Sequence, residues 1–322
     1  MDKRRRVGCL CLCLCLVLAA LGGCGKAAEH KPRVAVIVKS VDSDFFQKMQ
    51  DGVNSAATEY QVSVSFVGPE QEEDYATQNA LIRQAVANGA DAIVLSAVDY
   101  VRTVEAVNDA LRQGVKVITV DSGVQSNGVS QFVGTDNEQA GRTAAQILSK
   151  RLDTQSSICV GIVNTVGATE NLKERERGFR EAIEDIPNAV VIASAEVGST
   201  VEEATKGAHD LLTNNPEINA LVGFNEWMTL GVGAAIRQVN RTERVRGVGF
   251  DCNIASLSLL ETGEMDALIV QNPFAMGYLG VKSAAKLISG EKLSKELYTE
   301  AVTVDRNNLY DDDVQKLLYR FN

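Results

Sequence analysis

The stretch RVAVIVKSVDSDFFQKMQDGVNSAATEY, residues 33–60, contains the unit whose repetition decides the fold. Residues 33–40 form a short run that is almost continuously apolar and rich in β-branched residues, which is typical of a strand covered on both faces. In the segment after it, Phe45, Met49 and Val53 recur at helical spacing, which predicts an amphipathic helix. A strand followed by a helix that packs back on the sheet is the unit of a parallel α/β fold.

The same unit recurs along the rest of the chain. Nine further runs resemble the first, at residues 62–69, 91–98, 115–121, 130–136, 157–164, 189–197, 219–225, 245–251 and 266–272. Helical spacing returns between them, as at Val201, Ala204 and Ala208, and Pro216 ends that helix. Ten strands would make an unusually large single sheet. The sequence therefore predicts two α/β lobes, each a doubly wound parallel sheet.

No linker rich in proline, glycine and serine separates the two predicted lobes. We therefore expect the chain to cross between them at the ends of strands, near residues 135–136, 271–273 and 302–304. These three crossings assign residues 32–135 and 272–302 to an N-terminal lobe. Residues 136–271 and 303–322 then form a C-terminal lobe.

The N-terminal segment differs from this body in composition. Four basic residues at positions 3–6 precede an uncharged run, residues 7–21, that is shorter than the ~20 residues a helix needs to span a bilayer. This pattern predicts a signal peptide over residues 1–23. The motif LGGC resembles a bacterial lipobox, which implies cleavage before Cys24 and a lipid on its thiol, with residues 24–31 as a tether. An ordinary secretory signal is the alternative.

Composition excludes several kinds of partner. The chain has a formal net charge of −10, and the loss of four basic residues and one acid with residues 1–23 leaves −13. An acidic surface argues against nucleic acid and leaves the lipid as the predicted membrane anchor. Only Cys159 and Cys252 remain in the body, and whether they pair is open. No cluster of histidine and cysteine has metal-site spacing, so neither a metal nor another cofactor is predicted.

Polar and aromatic residues collect just after several predicted strands. In chain order they are Lys39, Phe45, Phe46, Asp121, Arg175, Asn225, Trp227, Asp251 and Gln271. Ligands of open parallel sheets bind beyond the carboxyl ends of the strands. Carboxylates, amides and a guanidinium match the hydroxyl groups of a sugar, and aromatic rings match its apolar faces. Two aspartates against one arginine predict a neutral rather than an anionic ligand, and Lys39 and Glu226 would cancel each other if both lay near. An aspartate after a strand is also a common helix N-cap.

Seven segments fall in the order found in the ribose-type periplasmic sugar-binding proteins of ABC transporters, which this chain resembles over roughly residues 32–304. They are SVDSDFFQKMQDGV (40–53), GVKVITVDS (114–122), VGTDNEQAGRTAA (133–145), KERERGF (173–179), LVGFNEWMTLGVGAA (221–235), GVGFD (247–251) and ALIVQNPFAMGYLGV (267–281). The resemblance implies the type 1 periplasmic binding protein fold, with two lobes that close on a monosaccharide. It also implies an extracytoplasmic partner of an ABC permease, and we expect a monomer.

The resemblance assigns roles to the strand-end residues. It implies that Phe45 and Phe46 stack on the sugar ring, and that the two aspartates, Arg175, Asn225 and Gln271 bind its hydroxyls. The chain departs from the family pattern at Lys39, Asp42, Ser43, Ser122 and Ser199. Ser199 falls where ribose binders place a stacking aromatic, and Trp227 is the predicted replacement. These departures favour a sugar-like ligand over ribose itself.

Three other functions share parts of this pattern. A repressor with the same core would begin with a DNA-binding domain, where this chain has a signal sequence. A dehydrogenase would place a glycine-rich turn between strand and helix, whereas GVGAAI, residues 231–236, lies within a predicted helix. We therefore predict that the chain is not an enzyme. The third function keeps the binding fold but presents a sugar or furanose-like signal to a membrane sensor kinase.

Overall fold

The computed structural model describes residues 31–151, 157–167 and 169–318. The predicted signal peptide, Cys24 and the predicted tether up to residue 30 lie outside these ranges. Within them, no helix is both long and apolar enough to cross a lipid bilayer.

The first lobe is built on a six-stranded parallel sheet. Its strands are β1 (Arg33–Ile37), β2 (Ser63–Val67), β3 (Ala92–Leu95), β4 (Lys116–Val120), β5 (Phe132–Gly134) and β11 (Glu296–Tyr298), in the spatial order β2-β1-β3-β4-β5-β11. Its helices are α1 (Asp44–Glu59), α2 (Tyr75–Ala87), α3 (Val104–Arg112) and α9 (Pro273–Ile288). Val34 and Val36 pack with α1 and α9, whereas Ala35 and Ile37 pack with α2 and α3. Burial on both faces explains the continuous apolar run in this strand.

The second lobe repeats this arrangement. Its strands are β6 (Ile158–Thr165), β7 (Ala189–Val197), β8 (Ala220–Gly223), β9 (Arg246–Phe250), β10 (Ala267–Val270) and β12 (Val302–Val304), in the order β7-β6-β8-β9-β10-β12. Its helices are α4 (Asn137–Arg151), α5 (Glu170–Glu184), α6 (Val201–Asn214), α7 (Glu226–Gln238), α8 (Ile254–Thr262) and α10 (Asp312–Leu318). α4 and α5 pack on one face of the sheet, and α6, α7, α8 and α10 pack on the other.

The predicted fold class, two doubly wound α/β lobes, is confirmed, and two details differ. The sequence pattern did not reveal β11 and β12, which have three residues each, and β12 runs antiparallel to β10. The third connection between the sheets runs through residues 299–301 instead of 302–304, because Val302 already pairs with Val270 in the second sheet. The other two connections follow β5 and β10, near the predicted positions.

Helices α4 and α5 approach each other unusually closely. A Cβ atom added to Gly178 on α5 would overlap the main-chain carbonyl of Glu138 on α4. A Cβ atom added to Gly141 on α4 would overlap the carbonyl of Arg175 on α5. The two glycines therefore set the separation of these helices, and Phe179, next to Gly178, is fully buried in the core beneath them.

Cys159 and Cys252 are both free thiols in the structure, which answers the question that the sequence left open. Cys252 is buried beside Asp251, and burial raises the pKa of its thiol to about 11. A thiol held in its protonated form is a poor nucleophile, so Cys252 acts as a packing residue.

Candidate functional site

One cavity between the two lobes contains all nine of the strand-end residues predicted from the sequence. Its lining consists of Lys39, Ser43, Phe45, Phe46, Glu72, Asp121, Asn171, Leu172, Arg175, Asn225, Glu226, Trp227, Asp251 and Gln271. The free volume left inside it is about 30 Å³, about that of one water molecule, so the lining side chains nearly fill the space in this arrangement. Within the described residues, no group of histidine, cysteine and carboxylate side chains is placed to hold a metal ion.

Asp121 and Asp251 occupy equivalent positions in the two lobes. Asp121 follows β4 and Asp251 follows β9, each the fourth strand in the spatial order of its sheet. Both have left-handed backbone conformations, with φ of 60° and 65° respectively. Non-glycine residues rarely adopt this region, although aspartate tolerates it better than most. Each lobe therefore contributes one carboxylate to the cavity from a strained strand end.

A network of hydrogen bonds surrounds Asp121. Lys39 Nζ lies 3.0 Å from its Oδ2, and both side chains are almost completely buried. Ser96 donates a hydrogen bond of 2.7 Å to the same oxygen, and Asn171 of the second lobe donates one of 2.9 Å to Oδ1. The positive charge of Lys39 is thus used to neutralise Asp121.

Arg175 is the most enclosed polar residue of the cavity, with a relative exposure of 1%. Its Nε donates to Asn137 Oδ1 at 2.9 Å, and its Nη1 donates to the carbonyl of Phe224 at 2.7 Å. The guanidinium also lies over the ring of Phe250, 4.7 Å from the centroid. Burial lowers the pKa of Arg175, while the carboxylates of Asp251 and Asp121 oppose this shift.

Gln271 joins Arg175 to the connections between the lobes. Its Oε1 accepts hydrogen bonds from Arg175 Nη2 at 2.6 Å and from Thr135 Oγ1 at 2.9 Å, and its Nε2 donates to Asp251 Oδ1 at 2.7 Å. Thr135 lies on the first connection and Gln271 on the second. The buried network therefore reaches two of the three points where the chain passes between lobes.

The aromatic residues line the cavity from both lobes. Phe45 and Phe46 meet edge to face, with ring centroids 5.1 Å apart, and both also pack in the core of the first lobe. Trp227 of α7 is half-buried, packs against the core of the second lobe and faces the cavity, which the sequence left open. Its side chain is close enough to Glu72 of the first lobe to interact with it.

Two residues of the lining, Asn225 and Ser43, also act as helix N-caps, a common structural role for polar residues that follow a strand. Asn225 is the N-cap of α7, where its Oδ1 accepts a hydrogen bond of 2.9 Å from the backbone N–H of Met228. Ser43 likewise caps α1 and accepts from the N–H of Phe45 at 3.1 Å. Capping accounts for the position of these side chains and leaves the Asn225 amide nitrogen available for other contacts.

The binding residues predicted from the sequence did not include four residues of the lining: Ser43, Glu72, Asn171 and Leu172. Glu226 was noted beside Asn225 but was not predicted to bind the ligand. Glu72 lies between β2 and α2, in the polar run PEQEED that reads as an ordinary loop. It lies beyond the carboxyl end of β2, and that position is the signal by which the sequence could have revealed it. Glu226 is only 7% exposed and accepts hydrogen bonds from Ser43 Oγ at 3.0 Å and Asn253 Nδ2 at 2.7 Å.

Several hydrogen bonds connect the two lobes across the cleft. Ser43 donates to Glu226, and Asn171 donates to Asp121. In addition, Lys48 Nζ donates to the carbonyl of Cys252 at 3.1 Å, and the N–H of Ser199 donates to Glu73 Oε1 at 2.7 Å. These contacts identify the structure as a closed arrangement of the lobes.

The sequence and structure are similar to those of known proteins. A family model described as periplasmic binding protein domain matches residues 34–292. The D-ribose/D-allose-binding protein of Pseudomonas aeruginosa is 29% identical over 269 residues, which cover 81% of this chain and 83% of that protein. The ribose import binding protein RbsB of Haemophilus influenzae is 27% identical over 271 residues, which cover 84% and 90%.

Two solved structures have a similar fold along most of the chain. A carbohydrate transporter solute-binding protein from Agrobacterium radiobacter, in complex with D-arabinose, superposes with a TM-score of 0.86 at 30% identity. An ABC transporter solute-binding protein from Agrobacterium vitis, with bound D-fucose, gives 0.85 at 28% identity. The matches cover 91% and 89% of this chain and the full length of each neighbour.

Proposed function

Because the chain belongs to the periplasmic binding protein family, we propose that it captures a monosaccharide or polyol outside the cytoplasm for an ABC importer. The named relatives are solute-binding proteins and not enzymes, in agreement with the sequence-based prediction. The observation that carries the proposal is the cavity itself, where charged, amide and aromatic side chains from both lobes meet. The D-arabinose and D-fucose complexes of similar proteins support a ligand of this class.

The chemistry of the lining suits a polyhydroxylated ligand. A hydroxyl group both donates and accepts hydrogen bonds. Asp121 and Asp251 can accept from such groups, and Arg175 and Asn171 can donate to them, while Phe45 and Trp227 offer ring surfaces from opposite lobes. An anionic sugar acid or sugar phosphate would meet more carboxylates than cations. We therefore propose a ligand without negative charge, and neutral monosaccharides and polyols satisfy this requirement.

A thermal screen tests this function. A ligand present at ~100 times its dissociation constant should stabilise the folded state by about 2.7 kcal/mol, which is visible as a raised melting temperature. We expect at least one pentose, hexose or polyol to raise the melting temperature, and sugar phosphates and sugar acids to leave it unchanged. A clear increase with a phosphate or an amino acid, and none with any sugar or polyol, would contradict the assignment.

The closed arrangement also suggests how binding is reported to a partner. A ligand that contacts both lobes favours the closed form, because only contacts that differ between two states can shift their balance. We propose that an ABC permease reads this form in the membrane. A membrane sensor kinase is the alternative partner predicted from the sequence, and the gene next to this one, permease or kinase, distinguishes the two.

We propose that Cys24 carries the lipid that holds the protein at the membrane, from the LGGC motif after the uncharged run. Cys24→Ser is expected to leave the chain unprocessed by the lipoprotein route or to release it, as membrane fractionation and mass spectrometry of the N-terminus would show. Cys159→Ser is the matched control, because it removes a thiol from the body and should leave processing intact. Membrane retention of the wild-type chain with an unmodified N-terminus would overturn the proposal.

A further inference from the structure

The charges that line the cavity do not balance. Four carboxylates, Glu72, Asp121, Glu226 and Asp251, face two cations, Lys39 and Arg175, which gives the lining a formal charge of −2 when all are ionised. The sequence-based argument for a neutral ligand set two aspartates against Arg175 and let Lys39 cancel Glu226, so it left out Glu72. Glu72 therefore adds one negative charge to those that a ligand must complement.

Glu226 is the more isolated of the two glutamates. It is almost fully buried, and both of its hydrogen-bond donors, Ser43 and Asn253, are uncharged. Among the described residues it forms no ion pair, and the charged groups that act on it most, Asp251 and Asp44, are negative. Its place in the first turn of α7 offers only the partial positive charge of a helix N-terminus. Burial of an ionised carboxylate without a cation costs free energy. A positively charged group beside Glu226 would therefore stabilise the closed cavity.

Glu72 is the second glutamate of the lining and comes from the first lobe. Its side chain interacts with that of Trp227, the residue that follows Glu226 in the chain. Lys39 is close enough to interact with it, but the ammonium of Lys39 is already paired with Asp121 at 3.0 Å. Burial raises the pKa of both glutamates, as expected where nearby positive charge is insufficient.

We propose that the preferred ligand is an amino sugar or amino polyol whose protonated amine binds beside Glu226, with Glu72 adding to the negative field. This inference rests on the proposed sugar-binding function and narrows it to a ligand class. An ammonium group has three donors and no acceptor, and it forms its stronger hydrogen bonds with carboxylates. The hydroxyls of the same ligand would bind the aspartates and Arg175.

The test compares ligands that differ only in the amine, with the full mature chain at neutral pH. Trp227 is the only tryptophan in the chain and faces the cavity, so its fluorescence reports binding directly, and calorimetry gives the affinities. The probes are D-glucosamine against D-glucose and D-galactosamine against D-galactose, with N-acetyl-D-glucosamine as a larger, uncharged amide. We expect at least one amino sugar to bind at least tenfold more tightly than its parent sugar and than the amide, which corresponds to about 1.4 kcal/mol.

Two variants test whether Glu226 causes the preference for the amine. Glu226→Gln keeps the shape of the side chain and removes its charge, so the ratio of amino-sugar to parent-sugar affinity should fall towards one. Glu243→Gln makes the same charge change at an exposed site that precedes β9, at the opposite end of that strand from Asp251, and should keep the wild-type ratio. The comparison of ligands on the wild-type chain does not depend on how either variant folds.

The outcomes separate this inference from the proposed function. If neutral sugars or polyols bind as tightly as amino sugars or more tightly, the amine proposal is overturned and the sugar-binding function stands. If no sugar, amino sugar or polyol binds, both are overturned. If the tenfold preference persists in a folded Glu226→Gln variant, Glu226 is not the residue that recognises the amine.

Discussion

Replacing Arg175 with alanine is expected to abolish sugar binding, so that no ligand which stabilises the wild-type protein raises the melting temperature of the variant. Arg175 provides the cavity with its only guanidinium and holds Gln271 at 2.6 Å, and Gln271 in turn donates to Asp251. Its loss removes a donor to the ligand and loosens two acceptors of ligand hydroxyls at once. With hydrogen bonds to charged groups at about 1.5–3 kcal/mol each, an affinity loss of about 100-fold or more is expected.

The unliganded Arg175→Ala variant should still fold, with reduced stability. The acceptors on Asn137, Phe224 and Gln271 lose their donor, and an unsatisfied buried acceptor costs about 1–3 kcal/mol. Removal of a desolvated charge offsets part of this cost. Arg175→Met separates the two effects, because it fills more of the vacated volume and should lose binding equally with a smaller fall in melting temperature.

Arg177→Ala is the matched control for binding, because Arg177 lies in the same KERERGF motif but is exposed and pairs with Glu138 at the surface. Exposed ion pairs contribute about 0–1 kcal/mol, so this variant should bind and melt much like the wild type. Wild-type affinity in folded Arg175→Ala or Arg175→Met protein would contradict the role assigned to Arg175.

Gly178→Val is expected to destabilise the unliganded protein by at least about 3 kcal/mol, measured as a lower urea midpoint. Inserted side chains in packed regions typically cost about 1–3 kcal/mol, and here the obstacle is the main chain at Glu138, which cannot rotate away. Helices α4 and α5 must therefore move apart. Since α5 also carries Asn171 and Arg175, sugar binding should be lost together with stability.

Glu184→Val controls for the helix propensity of valine. It places the same β-branched side chain on the same helix at an exposed position. Propensity differences between ordinary residues in helices are at most about 0.7 kcal/mol, so the urea midpoint should change little. A Gly178→Val midpoint equal to that of Glu184→Val would show that the close approach of α4 and α5 is not needed for stability.

The fold was largely predictable because its signals are local. Several strands are continuous apolar runs, such as AIVL at residues 92–95, and such a run indicates a strand without knowledge of the strands that it pairs with. β11 and β12 carry no comparable signal. Val302 and Val304 are held in place by pairing with β10, so the position of the third connection depends on a tertiary contact.

The binding residues that directly follow a strand were predictable from the sequence. Asp121, Asp251 and Gln271 each follow a strand directly, and the topology alone brings them together. Glu72 also lies beyond a strand end, but five residues after Val67 and within a run of polar and acidic residues that is typical of a loop. The charge of the cavity was therefore harder to predict than its location, because residues far apart in the chain contribute to it.

The left-handed backbone conformations of Asp121 and Asp251 have a consequence for the evolution of heat resistance in this protein. A strained backbone position costs about 1–3 kcal/mol. At Asp121 the contacts with Lys39, Ser96 and Asn171 offset that cost. Asp251 accepts a hydrogen bond from Gln271 and is desolvated by burial, which raises the pKa of its carboxyl group. Selection for thermostability in the absence of sugar would therefore favour glycine at position 251, whereas selection for nutrient capture would retain the aspartate.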